Sequence, residues 1–227
     1  MKVSREKAQE QLTIYRNRIN RGDYPTINLP PGLWKRGEHQ FTSANWEIRA
    51  IDLPDWYFNS PHHIKLLLQG RQIPREYRVL SLLRDKMVVM SNTPAEILDH
   101  EPFINQAKGH VFIAGLGLGM CVAALLDKPE VKSITVVEID QDVINISGPF
   151  YQEHPKVEII CTDIHNFIPD QSFDTVWLDI WDDISASNLP EIEHLENKFH
   201  TGDNWVGCWS KAEMINTIAG GVDFNFY

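Results

Sequence analysis

The sequence has little cysteine, little positive charge and no long apolar run, and each shortage excludes something. Among 227 residues there are three cysteines, Cys121, Cys161 and Cys208, far apart and in apolar contexts. They offer no disulfide framework and no metal spacing, and they predict buried, reduced thiols in a cytoplasmic protein. No stretch of about 18 apolar residues occurs, so no membrane span is expected. The opening segment MKVSREKAQEQLTIYRNRIN lacks the apolar core of a secretory leader. Lys and Arg total 21 against 31 Asp and Glu, a formal net charge of -10. A surface this acidic repels phosphate backbones, which excludes nucleic-acid binding by a broad basic face. Arg71, Arg75, Arg78, Arg84 and Lys86 form the one dense basic cluster and read as a solvated hairpin surface.

Several catalytic signatures are also missing. The chain has no G-x-S-x-G elbow, no G-x-x-x-x-G-K-[ST] loop and no H-E-x-x-H pair. His154, His165, His194 and His200 make no ligand spacing on one helix, so no metal is expected.

What is present falls into two parts, with a boundary near residue 92. Residues 1–92 read as a small N-terminal α/β cap. In it, residues 4–20 suggest a short amphipathic helix ended by Gly22. Residues 23–62 are rich in Pro, Trp and Asn; INLPPGLWKRG cannot be an α-helix, and Trp34, Trp46 and Trp56 are expected to fill a small irregular core. YRVLSLLRDKMVVM reads as a hairpin turning near Arg84 and Asp85. Thr93, Pro94 and Glu96 then resemble a helix start with a capping box. From residue 110 the rhythm is β-α repeated, with continuous rather than alternating apolar strands: HVFIAGLG, SITVVEID, VEIICTD, FDTVWLDI and WVGCWS, separated by helical segments and a short HNF piece. Such strands imply a Rossmann-like, doubly wound, mostly parallel sheet covered on both faces, over residues 93–227. VDFNFY would add one short strand to a sheet that ends early.

In such sheets ligands sit at the carboxyl ends of the strands near the switch point. Gly115, Gly117 and Gly119 stand there, in the loop after the first core strand. Their spacing is G-x-G-x-G. The dinucleotide fingerprint needs its third glycine at position 120, where this chain has Met120. A nicotinamide dinucleotide enzyme is therefore disfavoured; the loop resembles that of the S-adenosyl-L-methionine (AdoMet)-dependent methyltransferase fold, and the resemblance implies an AdoMet site. Acids end the next three strands. Glu138 is placed to accept both ribose hydroxyls. Asp163 is placed to take the exocyclic amine of adenine, with Ile164 flanking the ring. Asp179 ends the fourth strand, in WLDIWDD. A lone strand-end acid is unremarkable, whereas acids on three successive strands after a glycine loop form a constellation.

Residues 79–210 resemble the spermidine-synthase branch of the class I AdoMet-dependent methyltransferase fold, on the strength of VLSLLRDKMVVM, AEILDHEPF, the glycine loop, VVEIDQDVI, CTDIHNF and LDIWDD. The resemblance implies ribose binding by Glu138, adenine binding by Asp163, and His100 of DHEP near the methionine part of the cofactor. It also implies that Asp179 and Asp182, as a D-x-x-D pair, flank the transfer centre and the amine. The chain departs from the branch at Leu118, where the synthases carry a loop acid, and at Pro94-Ala95, where they carry Tyr-Gln.

These readings predict displacement at the sulfonium, a step in which the protein orients two reactants and excludes water. Asp179 is the candidate to orient or deprotonate an amine, and Asp182 to bind the far end of a cationic small-molecule substrate. With Asp183 nearby the pocket is expected to be negative, with Trp181 as a wall and Trp177 in the core. Methyl transfer, giving S-adenosylhomocysteine, is favoured over aminopropyl transfer, giving methylthioadenosine, because the loop acid and the Tyr-Gln pair are absent. A third alternative is cofactor binding without turnover. A homo-oligomer is compatible with the sequence.

Overall fold

In the computed structural model, residues 26–34, 41–69 and 72–218 are described. The helix expected over residues 4–20, the VDFNFY strand, Arg71 and the side chain of Trp34 lie outside that set.

Two sheets organise the chain. The first is antiparallel, in the order β1 (Phe41–Ser43), β2 (Trp46–Asp52), β3 (Arg78–Arg84), β4 (Met87–Ser91). The expected hairpin is its second half. Asp85 and Lys86, at left-handed φ of 51° and 69°, make the two-residue turn whose twist matches the right-handed twist of the paired strands. The segment expected to be an irregular tryptophan core instead supplies β1 and β2. In β2, Trp46 and Ile48 point inward while the residues between them are less buried, the period of a half-buried strand. Trp56 departs from expectation: it is 70% exposed. The PGLW segment forms a single 3₁₀ turn, Pro31–Trp34, as its prolines allow. A short helix, α1 (Pro61–Gln69), links β2 to β3.

The second sheet is parallel. Its strands are β5 (Gly109–Ala114), β6 (Val131–Glu138), β7 (Val157–Cys161), β8 (Thr175–Leu178) and β9 (Trp205–Cys208), in the order β7-β6-β5-β8-β9. The helices are α2 (Pro94–Gln106) before it, then α3 (Met120–Leu125), α4 (Gln141–Ser147), α5 (Leu189–Phe199) and α6 (Lys211–Ile218). The HNF piece is a turn rather than a helix. The chain runs outward from β5 to β7, returns, and runs outward again from β8, which puts the switch point between β5 and β8. The mixed α/β fold with a Rossmann-like sheet is therefore as expected.

Burial follows from this order. Val111, Phe112, Ile113 and Ala114 of β5 are all buried, as a central strand covered on both faces requires. One face carries an aromatic stack of Phe112, Phe167, Phe173 and Phe199. The other joins the two sheets: Trp46, Ile48, Leu80 and Leu82 share a core with Leu116 and Leu118 of the glycine loop. Two polar latches add to it. Ser43 donates to Asp142, and Trp46 Nε1 donates to Asp140 Oδ2 at 2.6 Å. Asp140 also caps α4 by accepting from Asp142 N at 2.9 Å, so one side chain starts a helix and holds the antiparallel sheet in place.

Candidate active site

A cavity of about 350 Å³ opens at the carboxyl ends of the parallel strands, under the antiparallel sheet. Its floor is the glycine loop and the residues that follow β6, β7 and β8. Its roof includes Trp46, Leu82, Arg84 and Met90. The volume lies in the range of small-molecule sites.

The glycine loop has three left-handed residues with three different surroundings. Gly115 (φ +91°) touches the switch point: a Cβ there would stand 2.0 Å from the carbonyl oxygen of Asp179. Its N–H donates to Val137 and the N–H of Asp179 donates to Ala114, so the loop and the end of β8 are pinned together. Gly117 lines the cavity, with Met90 Sδ from β4 close above it, and the N–H of Leu118 points at that sulfur at 3.3 Å. Gly119 does not line the cavity. A Cβ there would meet the ring of Tyr151 at 2.1 Å, and the Tyr151 hydroxyl donates to Leu118 O at 2.7 Å. Leu118 is fully buried, which accounts for an apolar residue where a loop acid would otherwise stand. Met120 is also core, so position 120 gives no close backbone approach of the dinucleotide kind.

Glu138 ends β6 in the cavity wall. Its Oε2 accepts from Leu116 N at 2.8 Å and its Oε1 from Asp140 N at 2.9 Å. Each oxygen keeps a lone pair for a further donor. Burial raises its pKa, and the backbone donors oppose that rise. After β7, Asp163 accepts from His165 N at 2.8 Å through Oδ1 and lies beside Ile164, which is buried. Ile139, 68% exposed, also lines the cavity. It presents apolar surface that sequence periodicity does not reveal.

The other side of the cavity belongs to Asp179 and its neighbours. Burial pushes the Asp179 carboxyl up to about 7, helped by the charges of Asp99 and Glu138. Glu96, expected to close a capping box onto Thr93, does something else. Thr93 makes no side-chain cap bond; Glu96 Oε2 accepts from Ser91 N at 2.9 Å and from Ser91 Oγ at 2.6 Å. The Glu96 carboxyl lines the cavity, and burial raises its pKa to about 8. Asp182 is at the rim and forms an ion pair with Arg84, whose guanidinium also covers the Trp46 ring. Trp181 is a wall as expected, held by its Nε1 donating to Glu191 Oε2 at 2.7 Å; Trp177 is core. Glu191 in turn meets His165 Nε2 at 2.8 Å.

His100 is not in the cavity wall. It is fully buried behind Asp179, with Nε2 3.9 Å from Asp179 Oδ2, and neither ring nitrogen has a hydrogen-bond partner. Burial lowers its pKa to about 4, so the ring is neutral. Cys121 is buried beside it, while Cys161 is exposed, contrary to the expectation of three buried thiols. Spacing along the chain gives no ligand set, yet the fold brings donor atoms of His100, Cys121 and Asp179 within 4.8 Å of one another.

No protein-family model and no curated protein matches the chain. Solved structures do. DhpI bound to S-adenosylhomocysteine shares 16% identity over 51% of this chain and 54% of its own, with a TM-score of 0.40. The N-methyltransferase NodS from Bradyrhizobium japonicum WM9, in complex with S-adenosyl-L-homocysteine, shares 14% over 48% of this chain and 57% of its own, with a TM-score of 0.39. A dimethyladenosine transferase from Plasmodium falciparum shares 19% over 47% and 37%, with a TM-score of 0.35. The match thus spans about half of this chain, and 54% and 57% of the first two neighbours. No helix among the described residues is long and apolar enough to cross a membrane.

Proposed function

We propose that the chain is an AdoMet-dependent transferase that methylates a small, amine-bearing acceptor. The observation that carries this reading is the row of carboxylates around one cavity. Glu138, Asp163 and Asp179 stand at the ends of three parallel strands and line the space over the glycine loop. The residues present fit the cofactor. Glu138 would accept from the ribose hydroxyls, Asp163 would take the adenine amine, and Ile139 and Ile164 would give apolar flanks to the ring. Gly115 and Gly117 let the backbone approach the rest of the cofactor, and Gly119 serves packing instead.

Bound AdoMet supplies a methyl group on a sulfonium, ready for in-line displacement. The chain's own part is to hold the acceptor in line and keep water out. Asp179, enclosed beside Gly115, holds the amine and takes its proton. Glu96, Asp182 and Glu191 also line the cavity. Glu96 holds its proton near neutral pH until a cationic acceptor displaces it, and a lining of acids disfavours phosphate and carboxylate compounds.

Cofactor binding without turnover is a second reading, favoured by one contact: Asp182, the residue expected to receive the far end of the acceptor, is already paired with Arg84. The test is transfer of a labelled methyl group from AdoMet to a panel of mono- and polyamines, with decarboxylated AdoMet as a parallel donor. Label on an amine supports the proposal. Transfer only from the decarboxylated donor selects the aminopropyl alternative, and tight binding with no transfer from either selects the second reading.

A further inference from the structure

Behind the cavity, three elements bring three metal-binding side chains to one place. His100 comes from α2, Cys121 from the first turn of α3, and Asp179 from the end of β8. Their donor atoms all lie within 4.8 Å of one another. Tetrahedral ligands at about 2.0–2.3 Å from a metal stand roughly 3.3–3.8 Å apart, so closing the set needs shifts of under about 1 Å. His100 supplies the independent sign of a ligand. It is fully buried, its Nε2 points at Asp179 from 3.9 Å, and both ring nitrogens lack a partner. Buried polar groups are almost always satisfied, and one that is not carries its full desolvation cost. The Trp177 ring packs edge-on at 5.8 Å between centroids and leaves both ring nitrogens unpaired.

We infer that His100, Cys121 and Asp179 bind a divalent cation of the zinc class. A thiolate, a neutral imidazole and one carboxylate are the soft and borderline donors that zinc prefers, whereas calcium and magnesium need several oxygens. The thiolate and carboxylate charges balance the cation, which removes the electrostatic objection to burying it. Three protein ligands leave a fourth position for water or for a group from the cavity. The metal would fasten α2 and α3 to the end of β8, beneath the contact between Gly115 and Asp179. The inference does not depend on which cofactor fills the cavity above; it assigns Asp179 Oδ2 to the metal and leaves Oδ1 as the oxygen available to an acceptor.

The test uses the full chain after chelator treatment, titrated with Co²⁺ as a spectroscopic substitute for Zn²⁺. One Co²⁺ per chain is expected, with a thiolate-to-cobalt charge-transfer band and tetrahedral d–d bands, all displaced by Zn²⁺. Cys121→Ser is expected to abolish the charge-transfer band and His100→Gln to weaken binding by more than about 100-fold, exceeding the effect of losing an outer-shell partner. Cys161→Ser, at the exposed thiol, is expected to change neither. Wild-type protein with no stoichiometric thiolate band overturns the inference, as does a band that survives Cys121→Ser. If the Cys121 variant fails to fold, the wild-type spectrum decides alone. The titration contains no AdoMet, so its failure is distinct from failure of the transferase reading.

Discussion

The two ends of the cavity are built differently. At the end formed by β6 and β7, Glu138 and Asp163 are held by backbone N–H groups of the glycine loop and of the turns that follow them. At the β8 end, Asp179 follows the strand while Glu96 and His100 both come from α2, and burial moves their pKa values to about 7, 8 and 4. In the function proposed above, the first, rigid end would receive a neutral, hydroxyl-rich group. The second is an electrostatically tense place that a cation would relax. Preorganised donors and acceptors suit binding, and desolvated titratable groups suit chemistry.

Changes at the rigid end are expected to be the most damaging to cofactor binding. Glu138→Gln removes one acceptor and turns an amide N–H₂ toward a backbone donor. AdoMet affinity should fall by about 100-fold, near 2.7 kcal/mol, in calorimetric titration. An affinity within threefold of wild type would remove Glu138 from the site. Gly119→Ala separates the packing glycine from the cavity glycines. The added methyl meets the Tyr151 ring at a left-handed φ of +72°, so unfolding in urea should show a loss of about 2 kcal/mol. An unchanged midpoint would contradict the tight packing of Gly119 on Tyr151.

At the tense end the expected signature is pH dependence. The folded-state pKa of Glu96 is raised from 4.5 to about 8, so the folded chain holds a proton that the unfolded chain releases. Stability contributed by this group is full below about pH 4.5, declines as pH rises and levels off above about 8. Asp99 and Asp179 push in the same direction. Glu96→Gln keeps a carbonyl oxygen for Ser91 and removes the ionisation, so with chelator present it should flatten the profile and raise stability at pH 9 by an amount on the order of 1–2 kcal/mol. A profile identical to wild type would refute the buried acid. Arg84→Ala is expected to have the smallest effect, under about 1 kcal/mol on stability, because its ion pair with Asp182 is half exposed. Freed from Arg84, Asp182 should bind cationic acceptors more tightly, while AdoMet affinity stays within twofold. A loss of acceptor affinity would show that Arg84 itself contacts the substrate.

The same contrast governs how much was legible in the sequence. The rigid end follows from local pattern. Continuous apolar runs place the strands, and residues that end them must fall at the carboxyl edge, so Glu138, Asp163 and Ile164 could be read directly. At the tense end Asp179 follows from the same rule, but its neighbours depend on contacts between elements. Glu96 has the spacing of a helix cap but bonds to Ser91 of the preceding strand. His100 and Cys121 lie on successive helices whose mutual approach no periodicity encodes. Strands β1 and β2 were hidden in a stretch dominated by Pro, Trp and Asn, although Trp46 and Ile48 alternate correctly within it. Trp56 misled because a large aromatic is usually buried, and here it is not.

The most direct measurement is calorimetric titration of the intact protein with AdoMet and, separately, with NAD. The account predicts one AdoMet per chain at micromolar affinity, no detectable NAD binding, and loss of the AdoMet signal in Glu138→Gln. Equal or preferred binding of NAD, or AdoMet binding that is indifferent to Glu138, would contradict it.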